Sequence, residues 1–106
     1  MKIPKRFKLL GHTIDIEIDP AMINVVDCTG EAHYRFNKIK LQGSEGYIGM
    51  PQSKIEHTFY HELVHFILYF GECQDTKEFY KNELVVDRIA SLLHQATTTM
   101  EYDDEP

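Results

Sequence analysis

Between Ser53 and Gly71 lies the feature that leaves this chain least freedom in how it folds. Ile55, Phe59, Leu63, Phe66 and Phe70 recur at helical spacing, and Val64, Ile67 and Leu68 widen the stripe until little of the helix is left for water. Ser53-Lys54-Ile55-Glu56 has the S-x-x-E form of a capping box, in which Ser53 and Glu56 reciprocally satisfy free backbone donors, and Gly71 supplies the stop. The sequence therefore predicts a largely buried helix that the remaining residues must cover. His57, His61, Glu62 and His65 interrupt its apolar surface. Unpaired buried polar groups cost about 1–3 kcal/mol each, so these four need partners.

Their spacing names one kind of partner. His61-Glu62-Leu63-Val64-His65 is an HExxH string, and histidines four apart share a helix face because a turn takes about 3.6 residues. Two neutral imidazole nitrogens placed this way can grip one zinc ion while Glu62 stands beside it to take a proton from water. A single ion would satisfy several of the groups at once. The plainer alternative makes His61 and His65 half-buried histidines bonded to backbone. His57 extends the stripe by one more turn, but three ligands spread along about 12 Å of straight helix do not converge on one ion. For His57 the expectation is an outer contact or exposure.

The first half of the chain reads as strands. Ile14, Ile16 and Ile18 alternate with Asp15, Glu17 and Asp19, the pattern of a half-buried strand, and residues 7–10 precede it across a predicted Gly11-His12 turn. Asp19-Pro20 resembles a helix start, giving a short helix over residues 21–25. Ala32, Tyr34 and Phe36 alternate with His33 and Arg35, and Ile39 and Leu41 with Lys38, Lys40 and Gln42, which predicts a second hairpin turning near Asn37. Gly43, Gly46, Gly49 and Pro51 break regular structure and predict a mobile loop before the HExxH helix. Asp75 to Glu78 repeats the capping-box pattern and opens a second helix, whose apolar surface comes from Leu84, Val85, Val86, Ile89, Ala90, Leu92 and Leu93. The predicted fold class is α+β, a small antiparallel or mixed β-sheet from N-terminal hairpins packed on two helices. One domain spans residues 1–99, and the acidic residues 100–106 read as a disordered tail.

A zinc site needs a third protein ligand. The extended HExxHxxGxxH pattern is excluded, because Leu68 and Gly71 stand where it needs glycine and histidine. Downstream candidates are Glu72, Asp75, Glu78, Glu83, Asp87 and His94. Asp75 and Glu78 already have capping roles, which leaves Glu83 and Asp87, four apart among apolar neighbours, as the buried-acid candidates. Read plainly, they are surface acids paired with solvent or lysine.

Asn82-Glu83-Leu84-Val85-Val86-Asp87 resembles the NExxxD signature of the gluzincins, the thermolysin-like zinc peptidases, and Glu83 stands 18 positions beyond His65. The resemblance implies a zincin-like fold with His61, His65 and Glu83 as zinc ligands, Glu62 as general base, and Asp87 as the acid that holds a zinc-bound histidine. The order of elements is similar to the small minigluzincins and to compact metallopeptidase domains carried by phages. The activity it implies is peptide-bond hydrolysis by a zinc-activated water, with Lys38 to Gln42 as the strand presenting the peptide by β-addition. Large gluzincins add a His or Tyr from a further subdomain to steady the oxyanion, and no residue here matches that role. Tyr60, Tyr69 and Tyr80 read as core or rim.

Composition narrows the partners. A net charge of −6 argues against a nucleic-acid surface. Cys28 and Cys73 are far apart and in no paired motif, so the pattern suggests neither a disulfide framework nor a cysteine zinc site, and a reducing cytoplasm suits them. No apolar run approaches the length of a membrane span, and the start lacks the apolar core of a signal peptide. The expected partner is a peptide or protein substrate, with Zn2+ as cofactor. The alternatives are a zinc-bound domain that binds a partner with little or no peptidase activity, and a metal-free interaction module with structural histidines.

Overall fold

The computed structural model describes residues 3–22, 28–43, 51–71 and 81–103. The isoleucine alternation forms β2 (His12–Asp19), which pairs antiparallel with β1 (Arg6–Leu9). Leu9 faces His12, so the turn residues are Leu10 and Gly11, at φ 49° and 79°. This is one residue earlier than the Gly11-His12 turn the sequence predicts. The reason is that a tight two-residue hairpin takes positive φ at both central positions and favours glycine at the second.

The second hairpin forms, but its first strand stops at His33, and Tyr34 and Phe36, predicted to alternate along it, belong to the turn. β3 (Gly30–His33) leads through a 3-10 turn (Tyr34–Phe36) and a left-handed Asn37, φ 51°, into β4 (Lys38–Gln42). Its placement is less local. β4 lies parallel to β2, with Ile16 opposite Ile39 and Ile18 opposite Leu41, so the sheet is mixed and runs β1-β2-β4-β3. Gln42 is buried at the end of β4 and donates from Nε2 to the carbonyls of Pro20 and Gly43, tying the segment after β2 to the strand beside it.

Among the described residues, α1 (Gln52–Gly71) packs on the sheet against β3 and β4, and α2 (Glu83–Thr98) packs against α1. The start of α1 corrects the predicted capping box. The Pro51 carbonyl accepts from Lys54 N at 3.0 Å and Ile55 N at 3.3 Å, so Ser53 sits inside the first turn, and the Glu56 carboxylate faces His94 Nε2 at 3.3 Å. α2 opens at Glu83, where the Asn82 side chain accepts from Val85 N at 3.1 Å. The predicted cap at Asp75, the loop over residues 44–50 and residues 23–25 of the predicted short helix lie outside the described residues.

Ile14, Ile39 and Leu41 from the sheet meet Ile55, Phe59, Val64 and Phe66 of α1 and Val86 and Ala90 of α2 in one core. Phe66 is wholly enclosed, a burial that stabilises the fold by roughly 2–3 kcal/mol. α2 departs from expectation, because Leu84, Ile89 and Leu92 face outward, with Leu84 85% exposed. Only Val86 and Ala90, one turn apart, are fully enclosed on α2. Beyond α2, residues 100–103 are exposed, and residues 104–106 lie outside the described set. Among the described residues no helix is long and apolar enough to cross a membrane.

Candidate metal centre

α1 and α2 run antiparallel, because contacts that advance along one recede along the other. His65 meets Glu83, His61 meets Glu83 and Asp87, and His57 meets Asp87 and Ser91. The i, i+4 stripe of histidines on α1 therefore faces an i, i+4 stripe of oxygen-bearing residues on α2. The asparagine cap makes this alignment possible, since it starts α2 at Glu83 and turns that residue toward the histidines.

One carboxylate bridges two imidazoles. Glu83 Oε1 lies 2.9 Å from His65 Nε2, and Glu83 Oε2 lies 3.1 Å from His61 Nε2. On the other side of the His61 ring, Nδ1 is 3.2 Å from Asp87 Oδ1. One ligand atom from each of His61, His65 and Glu83 falls within a 4.8 Å set. Zinc bonds of about 2.0–2.2 Å put such donors roughly 3–3.5 Å apart, so small side-chain movements suffice to close around an ion.

The protonation of His61 makes the fit chemical as well as geometric. Both of its ring nitrogens face carboxylate oxygens, which only accept when ionised. A neutral imidazole carries one N–H. With that hydrogen on Nδ1, bonded to Asp87, the Nε2 lone pair points at the oxygen of Glu83. A cation between them removes this opposition, and an acid holding the distal nitrogen is the usual arrangement around a metal-bound histidine.

All five residues predicted for the site come together, but not as buried acids. Glu83 and Asp87 have side chains 70% and 55% exposed, because their apolar neighbours Leu84, Ile89 and Leu92 turn to solvent instead of covering them. Glu62 is the enclosed carboxylate. Burial pushes it up to about 7, His61 acts in the opposite direction, and the charges of Glu83 and Glu31 raise it further.

The strand beside the centre is β3, not the predicted Lys38–Gln42. β4 is hydrogen-bonded on both sides, to β2 and β3, and has no free edge to offer. Among the described strands β3 stands at the edge, and residues 30–33 with Tyr34 form a cleft wall opposite Glu62, His65 and Glu83. Gly30 passes closest. A Cβ there would stand 2.5 Å from Thr58 Cγ2 and 2.9 Å from Glu62 Oε2, so only glycine lets the backbone lie over the glutamate without displacing it. Thr58 has little room to yield, since its hydroxyl donates to the Lys54 carbonyl at 2.9 Å.

Sequence reasoning missed Gly30 and Tyr34. Gly30 ahead of an alternating segment was the available signal, since an isolated strand glycine often marks a close approach. Tyr34 stacks on Tyr69 with centroids 4.5 Å apart and sets its edge against Phe66, which fixes its ring in the wall. Tyr60 is core, with its hydroxyl 2.7 Å from Thr97 Oγ1, and Tyr80 lies outside the described residues. Compared with family models, curated proteins and solved structures, the chain finds no match, so what can be said of the centre rests on its own residues.

Proposed function

We propose that this chain is a zinc-dependent peptidase of gluzincin type, with a zincin-like arrangement of sheet, HExxH helix and glutamate helix. The observation that carries the reading is His61 held between Asp87 on Nδ1 and Glu83 on Nε2, with His65 Nε2 on the second oxygen of the same Glu83. His61, His65 and Glu83 would hold the ion, and Asp87 would fix the His61 tautomer. Zinc bound there supplies Lewis acidity, which makes water a nucleophile near neutral pH and polarises a substrate carbonyl.

The chain's own residues supply the rest. Glu62 takes the proton of the attacking water and returns it to the leaving amine. The edge of β3, which no other described strand covers, offers backbone groups to an extended peptide, so the substrate lies as a fifth strand across the cleft, over Gly30. Tyr34 completes that wall, its ring held against Tyr69 and Phe66.

A second reading keeps the same contacts without catalysis. With both imidazoles doubly protonated, the 2.9–3.2 Å contacts become ion pairs that pin α2 to α1. Peptide-library cleavage by zinc-loaded protein and by its Glu62→Gln variant separates the two. The peptidase reading requires turnover in the first and its loss, with zinc retained, in the second. Equal turnover in both sinks it.

A further inference from the structure

One turn before His61 on α1 stands His57, and one turn after Asp87 on α2 stands Ser91. The two meet across the helix pair, with His57 Nε2 and Ser91 Oγ 3.0 Å apart. The same Nε2 lies 3.8 Å from Asp87 Oδ1, the oxygen that is 3.2 Å from His61 Nδ1. A single carboxylate oxygen thus sits between two imidazoles, and one of these belongs to the metal centre.

Asp87 needs such help. Its side chain is 55% exposed, so packing does not fix its rotamer, and an exposed carboxylate holds one ion-pair geometry only weakly. The His57 ring can be oriented in two ways by Ser91. Were Ser91 to donate to a bare Nε2, a nitrogen lone pair would face the Asp87 carboxylate. With the hydrogen on Nε2, His57 donates to Ser91 Oγ and turns a positive edge toward Asp87 instead. The 3.8 Å separation is too long for a hydrogen bond, so His57 acts on Asp87 through its field and by occupying space.

We propose that His57 and Ser91 are positioning residues for the metal centre: Ser91 orients the His57 ring, and that ring keeps Asp87 Oδ1 turned toward His61 Nδ1. His61 is thereby held with its hydrogen on Nδ1 and its Nε2 lone pair free for a metal. This rests on reading His61, His65 and Glu83 as a metal centre, but not on peptidase activity. A hydrogen bond that merely joined two helices would affect stability and leave metal affinity alone.

The test is zinc affinity of the full chain without a histidine tag, measured by competition with a chromophoric chelator at fixed pH. Asp87→Ala should weaken binding roughly 10- to 100-fold, as loss of a ligand-orienting acid does. His57→Leu and Ser91→Ala, one contact further out, should each weaken it by roughly 3- to 10-fold. His57→Gln, whose amide N–H reaches the position of Nε2, should recover most of the loss. In the Asp87→Ala background, His57→Leu should have no further effect, because its influence passes through Asp87. Ser91→Ala deletes a single oxygen and keeps the test decisive if His57→Leu melts early. Wild-type affinity in both outer variants overturns the proposal, as does a His57→Leu loss that adds in full to that of Asp87→Ala. Unchanged affinity in His61→Ala and His65→Ala would instead remove the metal centre itself.

Discussion

Replacing Glu62 by Gln in zinc-stripped protein isolates the cost of an enclosed carboxylate. Glu62 is 6% exposed, and its pKa is raised from 4.5 to about 7, chiefly by burial. The folded-state value lies above the unfolded one, so the folded chain holds an extra proton between them and its stability falls as pH rises, by about 1.4 kcal/mol per unit. The stability associated with the neutral carboxyl is complete below pH 4.5 and is lost as pH rises through about 7. Integrated over that window, ionised Glu62 destabilises the fold by about 3 kcal/mol, whereas Gln, with the same shape and no charge, is indifferent to pH. Urea unfolding of both proteins in chelator should therefore give a gap in favour of Glu62→Gln. The gap should widen from under about 1 kcal/mol at pH 5 to about 3 kcal/mol at pH 8. A gap that stays constant from pH 5 to 8, whatever its size, refutes the reasoning.

Gly30→Ala should destabilise by about 1–3 kcal/mol in unfolding experiments and impair any cleavage, because the new methyl group meets Thr58 and Glu62; an unperturbed variant would mean that β3 does not press on the glutamate. Leu10→Asn should raise stability by about 1 kcal/mol, since Leu10 is 78% exposed and held at φ 49°, where asparagine is better tolerated; a loss of stability in thermal melts would contradict this. Cys28, raised first by burial and then by the charge of Glu31, should alkylate more slowly at pH 8 than a free cysteine derivative when measured in a Cys73→Ser background, and an equal or faster rate would count against that environment.

How far the sequence announced the centre depends on how local each feature is. His61, Glu62 and His65 lie within one helical turn and a residue, so their shared face follows from the period of the helix alone. Glu83 and Asp87 were readable through a motif but not through burial. Leu84, Ile89 and Leu92 suggested an enclosing shell, yet α2 rotates so that Val86 and Ala90 take the core, leaving the two acids on the rim. The strand assignment failed for a topological reason. The hairpin of β3 and β4 can join β2 by either member, and alternation does not say which. Residues Ile39 and Leu41, both wholly buried, favour β4 as the inner strand, while Gly30 and Glu31 suit an edge. Asn82, within the very signature that suggested a ligand, also makes the capping bond that starts α2, a second role that the ligand motif alone does not announce.

The central claim is that His61, His65 and Glu83 close on one ion, and a crystal structure of the zinc-loaded protein tests it most directly. The account predicts a single zinc bonded to His61 Nε2, His65 Nε2 and a Glu83 oxygen at about 2.0–2.2 Å, with Asp87 still on His61 Nδ1. Zinc bound elsewhere, or no zinc bonded to these three side chains in saturating zinc, would contradict it.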